Sequence, residues 1–230
     1  MKYRRAALAF GFATLLAATS TMCLAEVIYD NLSQSSAGAD TVNASGLVHG
    51  PLFNSFSTPT GTGAGFVLTD IQLLLSAVGV PAGSTSIGIY SNNAAASPPM
   101  PGSLLATIGT VSDSSLSGTA SVWSVSLASP LSVAAGTRYW VGLSTNDNAN
   151  GGWSYATTSN GTGVAGEYLS NSTGTFSNVG NGPYQMKVSV AVPEPSLPVM
   201  ALVGLACGSV AMCRRRGVVV MPLGQGSPRG

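Results

Sequence analysis

Hydrophobic and polar residues alternate with a period of two along much of the chain between residues 26 and 192. In the segment 69–75, the apolar residues Ile71, Leu73 and Leu75 are separated by polar ones. Such alternation is typical of a β-strand with one buried face. The pattern predicts about nine strands, at residues 26–29, 69–75, 87–89, 104–111, 122–127, 139–143, 153–156, 167–169 and 184–192.

Turn-forming sequences separate these segments, among them Ala135-Gly136 and Asn160-Gly161. Glycine and asparagine tolerate the positive φ that tight turns need. Residues 33–65 are rich in Ser, Gly and Ala, and we expect a long, partly ordered connection there. No part of this region shows a helical period with caps. The sequence therefore predicts an all-β fold, a single jelly-roll-like β-sandwich over residues 26–191.

The first 25 residues have the three parts of a secretory signal peptide. Basic residues precede an apolar stretch from Ala6 to Ala18, and small residues follow up to Ala25. The apolar stretch is shorter than a spanning helix needs, so we expect cleavage after Ala25. Cys23 raises the alternative of a lipoprotein, although the residue before it, Met22, is not the small residue that lipoprotein processing requires.

A second apolar run, 197–213, lies near the other end and contains no charged residue. Its length is at the lower edge of the roughly 17–25 residues of a transmembrane helix. The three arginines that follow, at 214–216, are expected to stay in the cytoplasm, followed by a disordered cytoplasmic tail at 217–230. The alternative interpretation is a buried helix with a basic cap. Together, the two apolar runs predict export of residues 26–191.

The residues around the second run carry a specific resemblance. The motif consists of Val192, Pro193, Glu194, Pro195 and Ser196, then the apolar run, then Arg214, Arg215 and Arg216. This order resembles the PEP-CTERM sorting signal. The resemblance implies processing by exosortase, a membrane-embedded cysteine transpeptidase-like enzyme, in a Gram-negative bacterium that makes extracellular polysaccharide. The chain departs from the family pattern because it continues for residues 217–230, whereas family members usually end soon after the arginines.

The physical chemistry of the motif fits a recognition element. Pro193 and Pro195 fix their own φ angles and favour extended conformations in the residues before them. Glu194 would therefore be exposed on a stiff stalk close to the membrane, where a membrane enzyme could recognise it.

Charge and cysteine content narrow the function classes. Between residues 26 and 192 there are seven acidic and two basic residues, a formal charge of −5. This excludes a basic surface for nucleic acid. All three cysteines lie in the two apolar runs, so the exported region has neither a disulfide nor a thiolate metal site.

A second resemblance covers most of the exported region. Its elements are Val27–Leu32, Ile87–Ser91 with Pro101-Gly102, Arg138–Leu143 and Trp153. Together they are similar to the choice-of-anchor R domains of bacterial surface proteins. The resemblance implies a surface module and no assigned chemistry.

Candidate catalytic and metal-binding residues are few. His49 is the chain's one histidine and lies in a loop-like sequence, and no serine has the G-x-S-x-G surroundings of a nucleophile. Two of the seven acidic residues could form the carboxylate pair of a glycosidase, but no spacing selects them. Asp147 lies in a polar segment that fits either a calcium loop or a self-bonded turn, without EF-hand spacing. We predict no catalytic residue, metal or cofactor.

Aromatic residues supply the remaining candidates, for contact with a glycan. Trp140 lies on the strand face opposite Tyr139 and Val141, and Trp153 and Tyr155 follow nearby. An exposed aromatic ring can stack on the apolar C–H face of a sugar, whereas a second buried face would hide it. The sequence thus predicts a non-enzymatic surface or matrix protein, sorted by exosortase. The alternatives are a carbohydrate-binding module of the matrix polysaccharide and, third, a secreted glycan-active enzyme.

Overall fold

The computed structural model describes residues 25–43, 50–61, 65–79, 83–145 and 151–191. The regular secondary structure of the described chain is β-strand, apart from a single 3₁₀ turn at Asp113–Ser115. The strands are β1 Ala25–Asp30, β2 Ser36–Thr41, β3 Leu52–Ser57, β4 Phe66–Ala77, β5 Ser84–Asn93, β6 Met100–Ser112, β7 Ser121–Val133, β8 Arg138–Ser144, β9 Gly151–Ala156, β10 Tyr168–Asn171, β11 Gly174–Ser177 and β12 Met186–Ala191. The expected all-β class is confirmed.

The strands form two antiparallel sheets of six. In the first sheet, the long strand β4 pairs with β7 along one edge. Its other edge pairs first with β12 and then, from Leu75 onward, with β9. Strand β1 extends the sheet beyond β12, and β2 extends it beyond β9. The second sheet has the order β11-β10-β3-β8-β5-β6.

Both sheets contribute to a single buried hydrophobic cluster. Ile71 and Leu73 of β4 are completely buried, as are Ile87 and Ile89 of β5. These are the residues whose alternation predicted the strands, so the period-two pattern correctly identified the core face. All nine predicted segments correspond to strands of the structure.

The expected long connection at residues 33–65 is wrong, because two strands lie within it. Strand β2 has a sequence of low β-propensity, and backbone pairing with β9 holds it in the sheet. Strand β3 buries Leu52 and Phe56 on the core face. Asn54 lies between them and is also buried. Its burial is tolerated because its amide nitrogen donates a 3.1 Å hydrogen bond to the hydroxyl of Tyr29. Because a polar residue occupies a core position, the alternation of hydrophobic and polar residues did not reveal this strand.

The two ends of the described chain are neighbours in the first sheet. Ala25, the first residue of β1, is the cross-strand partner of Ala191, the last residue of β12. The predicted signal peptide before Ala25, the sorting motif, the membrane segment 197–213 and the tail 217–230 lie outside the described residues. Within the described ranges, no helix has the length and apolar character needed to cross a bilayer.

Candidate functional site

A cleft of about 190 Å³ lies where edges of the two sheets meet. It is bounded by β2 and β9 of the first sheet, by β10 and β11 of the second, and by the loop that leads into β12. The lining residues are Asp40, Tyr155, Leu169, Asn171, Phe176, Asn181, Gly182 and Tyr184. Three of these side chains are aromatic and three carry a carboxylate or an amide, so the cleft combines apolar surface with hydrogen-bonding groups.

Contacts with Trp153 and Asn54 fix the position of Tyr184 at the cleft. Its ring stacks on the indole of Trp153, with the ring centroids 4.8 Å apart and the planes 17° from parallel. The indole is itself anchored, because Trp153 Nε1 donates a 2.9 Å hydrogen bond to the carbonyl of Gln185. The backbone nitrogen of Tyr184 donates to Asn54 Oδ1 at 3.2 Å. Ring and backbone contacts therefore define the position of the tyrosine hydroxyl.

That hydroxyl connects the polar residues of the cleft. Tyr184 Oη donates a 2.6 Å hydrogen bond to Asp40 Oδ2, and Asn171 Nδ2 lies 3.4 Å from the same hydroxyl. Burial raises the pKa of Tyr184 well above its usual value, and the hydrogen bond to Asp40 and that residue's negative charge raise it further. Tyr184 therefore keeps its proton, and its hydroxyl donates the hydrogen bond that orients the Asp40 carboxylate.

The walls of the cleft depend on two close backbone approaches. Tyr155 is half-buried, and its hydroxyl lies over Gly38 of β2, where a Cβ would come within 2.7 Å of that oxygen. A Cβ on Gly182 would lie 1.9 Å from the carbonyl oxygen of Ala156. Both positions therefore require glycine, and side chains there would displace the wall that carries Tyr155.

The two tryptophans expected to contact a glycan are fully buried. Trp140 lies on the second sheet, where its Nε1 donates a 3.0 Å hydrogen bond to Asn92 Oδ1. Trp153 supports Tyr184 from beneath. Neither indole is exposed as stacking on a glycan requires, so the expected glycan contact is wrong for both residues. Trp153 belongs to the hydrophobic cluster of the core. Tyr155, the third candidate, lines the cleft.

The remaining candidates lie elsewhere. His49, Asp147 and the sorting motif are outside the described residues. Within the described part of the chain, no three His, Cys, Asp or Glu side chains form a potential metal site.

A separate polar cluster lies around Glu167 of the second sheet. Glu167 is almost completely buried and accepts hydrogen bonds from Arg138 Nε at 3.0 Å and from the Ser55 hydroxyl. The Arg138 guanidinium also donates to the carbonyl of Gly166 at 2.8 Å, and lies 5.1 Å from the ring centroid of Tyr168. This cluster ties β8, β3 and β10 together, which gives it a structural role.

Sequence reasoning missed most of the cleft. Asp40 lies in the region expected to be a loop, and Phe176 lies in the short strand β11, which was not predicted. Tyr184 was assigned to a core face, which is correct, but its hydroxyl lines the cleft. The usable signal was the turn sequence Asn181-Gly182-Pro183 directly before Tyr184.

Comparison with known proteins gives no relatives. The sequence matches no protein-family model, and neither the curated proteins nor the solved structures include a match.

Proposed function

We propose that the chain is a non-enzymatic, exported protein of the cell surface or extracellular matrix, sorted by exosortase at residues 192–216. The supporting observation is the pairing of Ala25 with Ala191. Cross-strand partners have Cα atoms about 4.5–5.5 Å apart. The predicted signal peptide and the predicted membrane segment therefore both join the domain at the same end of one sheet, so a single membrane could hold both.

The same pairing is compatible with release of the domain by cleavage on both sides. Ala25 is exposed and Ala191 is buried, and they are the outermost pair of β1 and β12. Cleavage after Ala25 and near the Val192–Ser196 motif would leave the buried residues of both strands in the domain. We therefore expect the domain to remain folded after release.

We infer that the two sheets pack face to face as a jelly-roll-like β-sandwich. Support comes from the hydrophobic cluster, to which alternate residues of both sheets contribute. In such a sandwich, the inward residues of the two sheets interdigitate in one layer. The hydrogen bond from Asn54 of β3 to Tyr29 of β1 also joins a strand of each sheet.

The carboxylate content of the cleft supports a non-enzymatic role. Glycoside hydrolysis in most families uses two carboxylates on either side of the scissile bond. Among the described residues that line the cleft, Asp40 is the one carboxylate. Glu167, a buried carboxylate elsewhere in the domain, is engaged with Arg138 in a separate cluster.

Carbohydrate binding is the second candidate function. One observation favours it: Tyr155 is half-buried on the wall of a cleft that also carries amide and carboxylate groups. Such a module would retain the protein in the extracellular polysaccharide after release from the membrane.

The sorting proposal is tested by Glu194→Ala, followed by mass spectrometry and cell fractionation. We expect wild-type protein outside the cell, lacking the residues beyond the motif. The variant should keep its carboxyl terminus and remain in the inner membrane, as should wild-type protein in a strain without exosortase. The control is Asn160→Ala, which truncates an exposed side chain distant in sequence from both predicted cleavage sites and should be processed normally. Unchanged processing of Glu194→Ala would refute the motif's role.

A further inference from the structure

The cleft has the size of a single sugar ring. Its volume is about 190 Å³, which corresponds to roughly six water molecules at ~30 Å³ each. Pockets for drug-sized ligands are larger, at about 300–1,000 Å³. The cleft is also open at one side, since Asn181 is exposed at its rim. A ring that continues into a longer chain could therefore occupy it.

The aromatic lining suits the apolar faces of such a ring. Tyr155 and Phe176 are both half-buried, so each ring presents part of its surface to the cleft. They come from different sheets, β9 and β11. Pyranose rings expose patches of C–H groups that pack against flat aromatic surfaces. Two such surfaces in one small cleft favour a ring-shaped ligand with apolar faces.

The polar lining suits hydroxyl groups. Asn171 is oriented, because its Oδ1 accepts a 2.9 Å hydrogen bond from the backbone nitrogen of Thr173. Asp40 is oriented by Tyr184 Oη at 2.6 Å, and a carboxylate has about four lone-pair sites for donors. Asn181 adds both donor and acceptor at the rim. Because Asn171 and Asp40 are already positioned, a ligand would lose little free energy in ordering them.

The negative charge of the cleft favours neutral sugars over acidic ones. Asp40 places a carboxylate in the cleft, and the region 26–192 has seven acidic residues against two basic ones. A uronic acid would bring a second negative charge next to Asp40, which costs binding free energy. Neutral sugars have no such penalty.

We propose that this cleft binds one neutral pyranose unit of a polysaccharide, through stacking on Tyr155 and Phe176 and hydrogen bonds to Asp40 and Asn181. The proposal deepens the carbohydrate-binding role above and depends on export only for the source of the ligand. The binding chemistry is a property of the domain wherever the protein is located.

The experiment uses the full chain, purified in an amine-oxide detergent that carries no sugar headgroup. Binding is measured on an array of neutral oligosaccharides (glucans, mannans and galactans) and uronic-acid oligosaccharides. We expect retention on neutral glycans and none on uronates. Phe176→Ala and Asn181→Ala should each weaken binding by about tenfold. Asp40→Asn should reduce the discrimination against uronates.

Matched controls separate the cleft from the rest of the surface. Phe53→Ala truncates a half-buried aromatic residue of β3 outside the cleft, and Asn160→Ala truncates an exposed asparagine in a turn. Both should bind like wild type. Thermal unfolding of every variant identifies losses of binding that are caused by unfolding. Because Asn181 is exposed, Asn181→Ala should fold like wild type, so its effect on binding tests the cleft itself.

Three results would overturn the proposal: no neutral glycan retained by folded wild-type protein, stronger binding to uronates than to neutral glycans, or equal losses in the cleft and control variants. The sorting experiment has a separate readout, the mass and location of the protein. Failure of either hypothesis can thus be distinguished from failure of the other.

Discussion

Tyr184 Oη donates a 2.6 Å hydrogen bond to Asp40 Oδ2, across 144 residues of sequence. The bond joins the loop before β12 to the edge strand β2. Since β2 has few apolar side chains of its own, this contact and its pairing with β9 account for its position. The wall of the cleft is therefore coupled to the stability of a weak edge strand.

The first prediction concerns alkaline pH. Burial raises the pKa of Tyr184 and of Tyr29 above the usual value near 10. Above pH 10, unfolded tyrosine loses its proton while the folded residue keeps it, so the unfolded state binds fewer protons. The free energy of unfolding should then fall as pH rises, by about 1.4 kcal/mol per pH unit for each such tyrosine. Chemical denaturation between pH 9 and 11.5 measures this slope.

Tyr184→Phe provides the control for that slope. It removes one of the two raised groups, so the loss of stability per pH unit above pH 10 should decrease by about half. At pH 7 the variant should be less stable by about 1 kcal/mol, through loss of the bond to Asp40. A slope identical to that of wild type would show that Tyr184 does not stay protonated in the folded protein.

The second prediction concerns Asn54, which is fully buried. Its side chain donates to Tyr29 Oη at 3.1 Å and accepts from the backbone nitrogen of Tyr184 at 3.2 Å. Asn54→Leu keeps the number of side-chain heavy atoms but loses both bonds and the 3.0 Å bond from Nδ2 to the Ser55 carbonyl, so we expect a loss of about 2–3 kcal/mol in unfolding free energy. Urea denaturation measures it.

A double-mutant cycle tests whether the bond itself is responsible. Combining Asn54→Leu with Tyr29→Phe should give a loss smaller than the sum of the single losses, by about 1 kcal/mol. Strict additivity would mean that the two side chains do not interact. Asn160→Leu, at an exposed turn, serves as the matched control and should change stability by less than about 0.5 kcal/mol.

Most of the strands that the sequence predicted have one buried, apolar face. In β4, the alternation of Ile71, Leu73 and Leu75 with polar residues indicates which face of the strand is buried in the core. Strands β2 and β11 lack such alternation, and backbone hydrogen bonds to β9 and β10 hold them in their sheets. Such pairing depends on residues far away in sequence, which local periodicity cannot show.

The cleft was even less predictable, because its residues come from five segments. Asp40 and Tyr184 are brought together by sheet topology, and no spacing in the sequence encodes their contact. Aromatic content selected Tyr155 as a candidate for glycan contact, and Tyr155 lines the cleft. It could not separate Tyr155 from Trp153, two residues earlier on the same strand face, because the stack with Tyr184 that buries Trp153 is a tertiary contact.

The third prediction concerns Gly142 on the outward side of the second sheet. The rings of Phe53 and Tyr90 meet edge to face above it, with centroids 5.1 Å apart. A Cβ at Gly142 would lie 2.5 Å from Tyr90 and 2.6 Å from Phe53. Gly142→Ala should therefore displace both rings and cost about 1–3 kcal/mol, measured by thermal or urea unfolding.

Gly118 provides the matched control, because a Cβ there meets nothing within 4 Å. Gly118→Ala should leave stability nearly unchanged. In the Phe53→Ala background, the cost of Gly142→Ala should be smaller, since one of the two obstructing rings is gone. An equal cost in both backgrounds would show that the Phe53 ring is not the obstacle.

The last prediction concerns the ion pair of Arg138 and Glu167. The Glu167 side chain is 4% exposed and that of Arg138 is 25% exposed. Arg138→Met keeps the aliphatic packing but leaves Glu167 without its cation. Loss of one partner of a fully buried pair costs about 3–5 kcal/mol, and partial exposure of the guanidinium should reduce this to about 2–3 kcal/mol.

Glu167→Gln in the Arg138→Met background distinguishes charge burial from lost packing. If the uncompensated carboxylate causes the destabilisation, neutralising it should recover about half of the loss. Lys187→Met, which removes the other basic residue of the described chain, should have an effect below about 0.5 kcal/mol, since Lys187 is more exposed to solvent than Glu167. A double variant no more stable than Arg138→Met alone would assign the loss to the other contacts of the guanidinium, with the Tyr168 ring centroid at 5.1 Å and the Gly166 carbonyl at 2.8 Å.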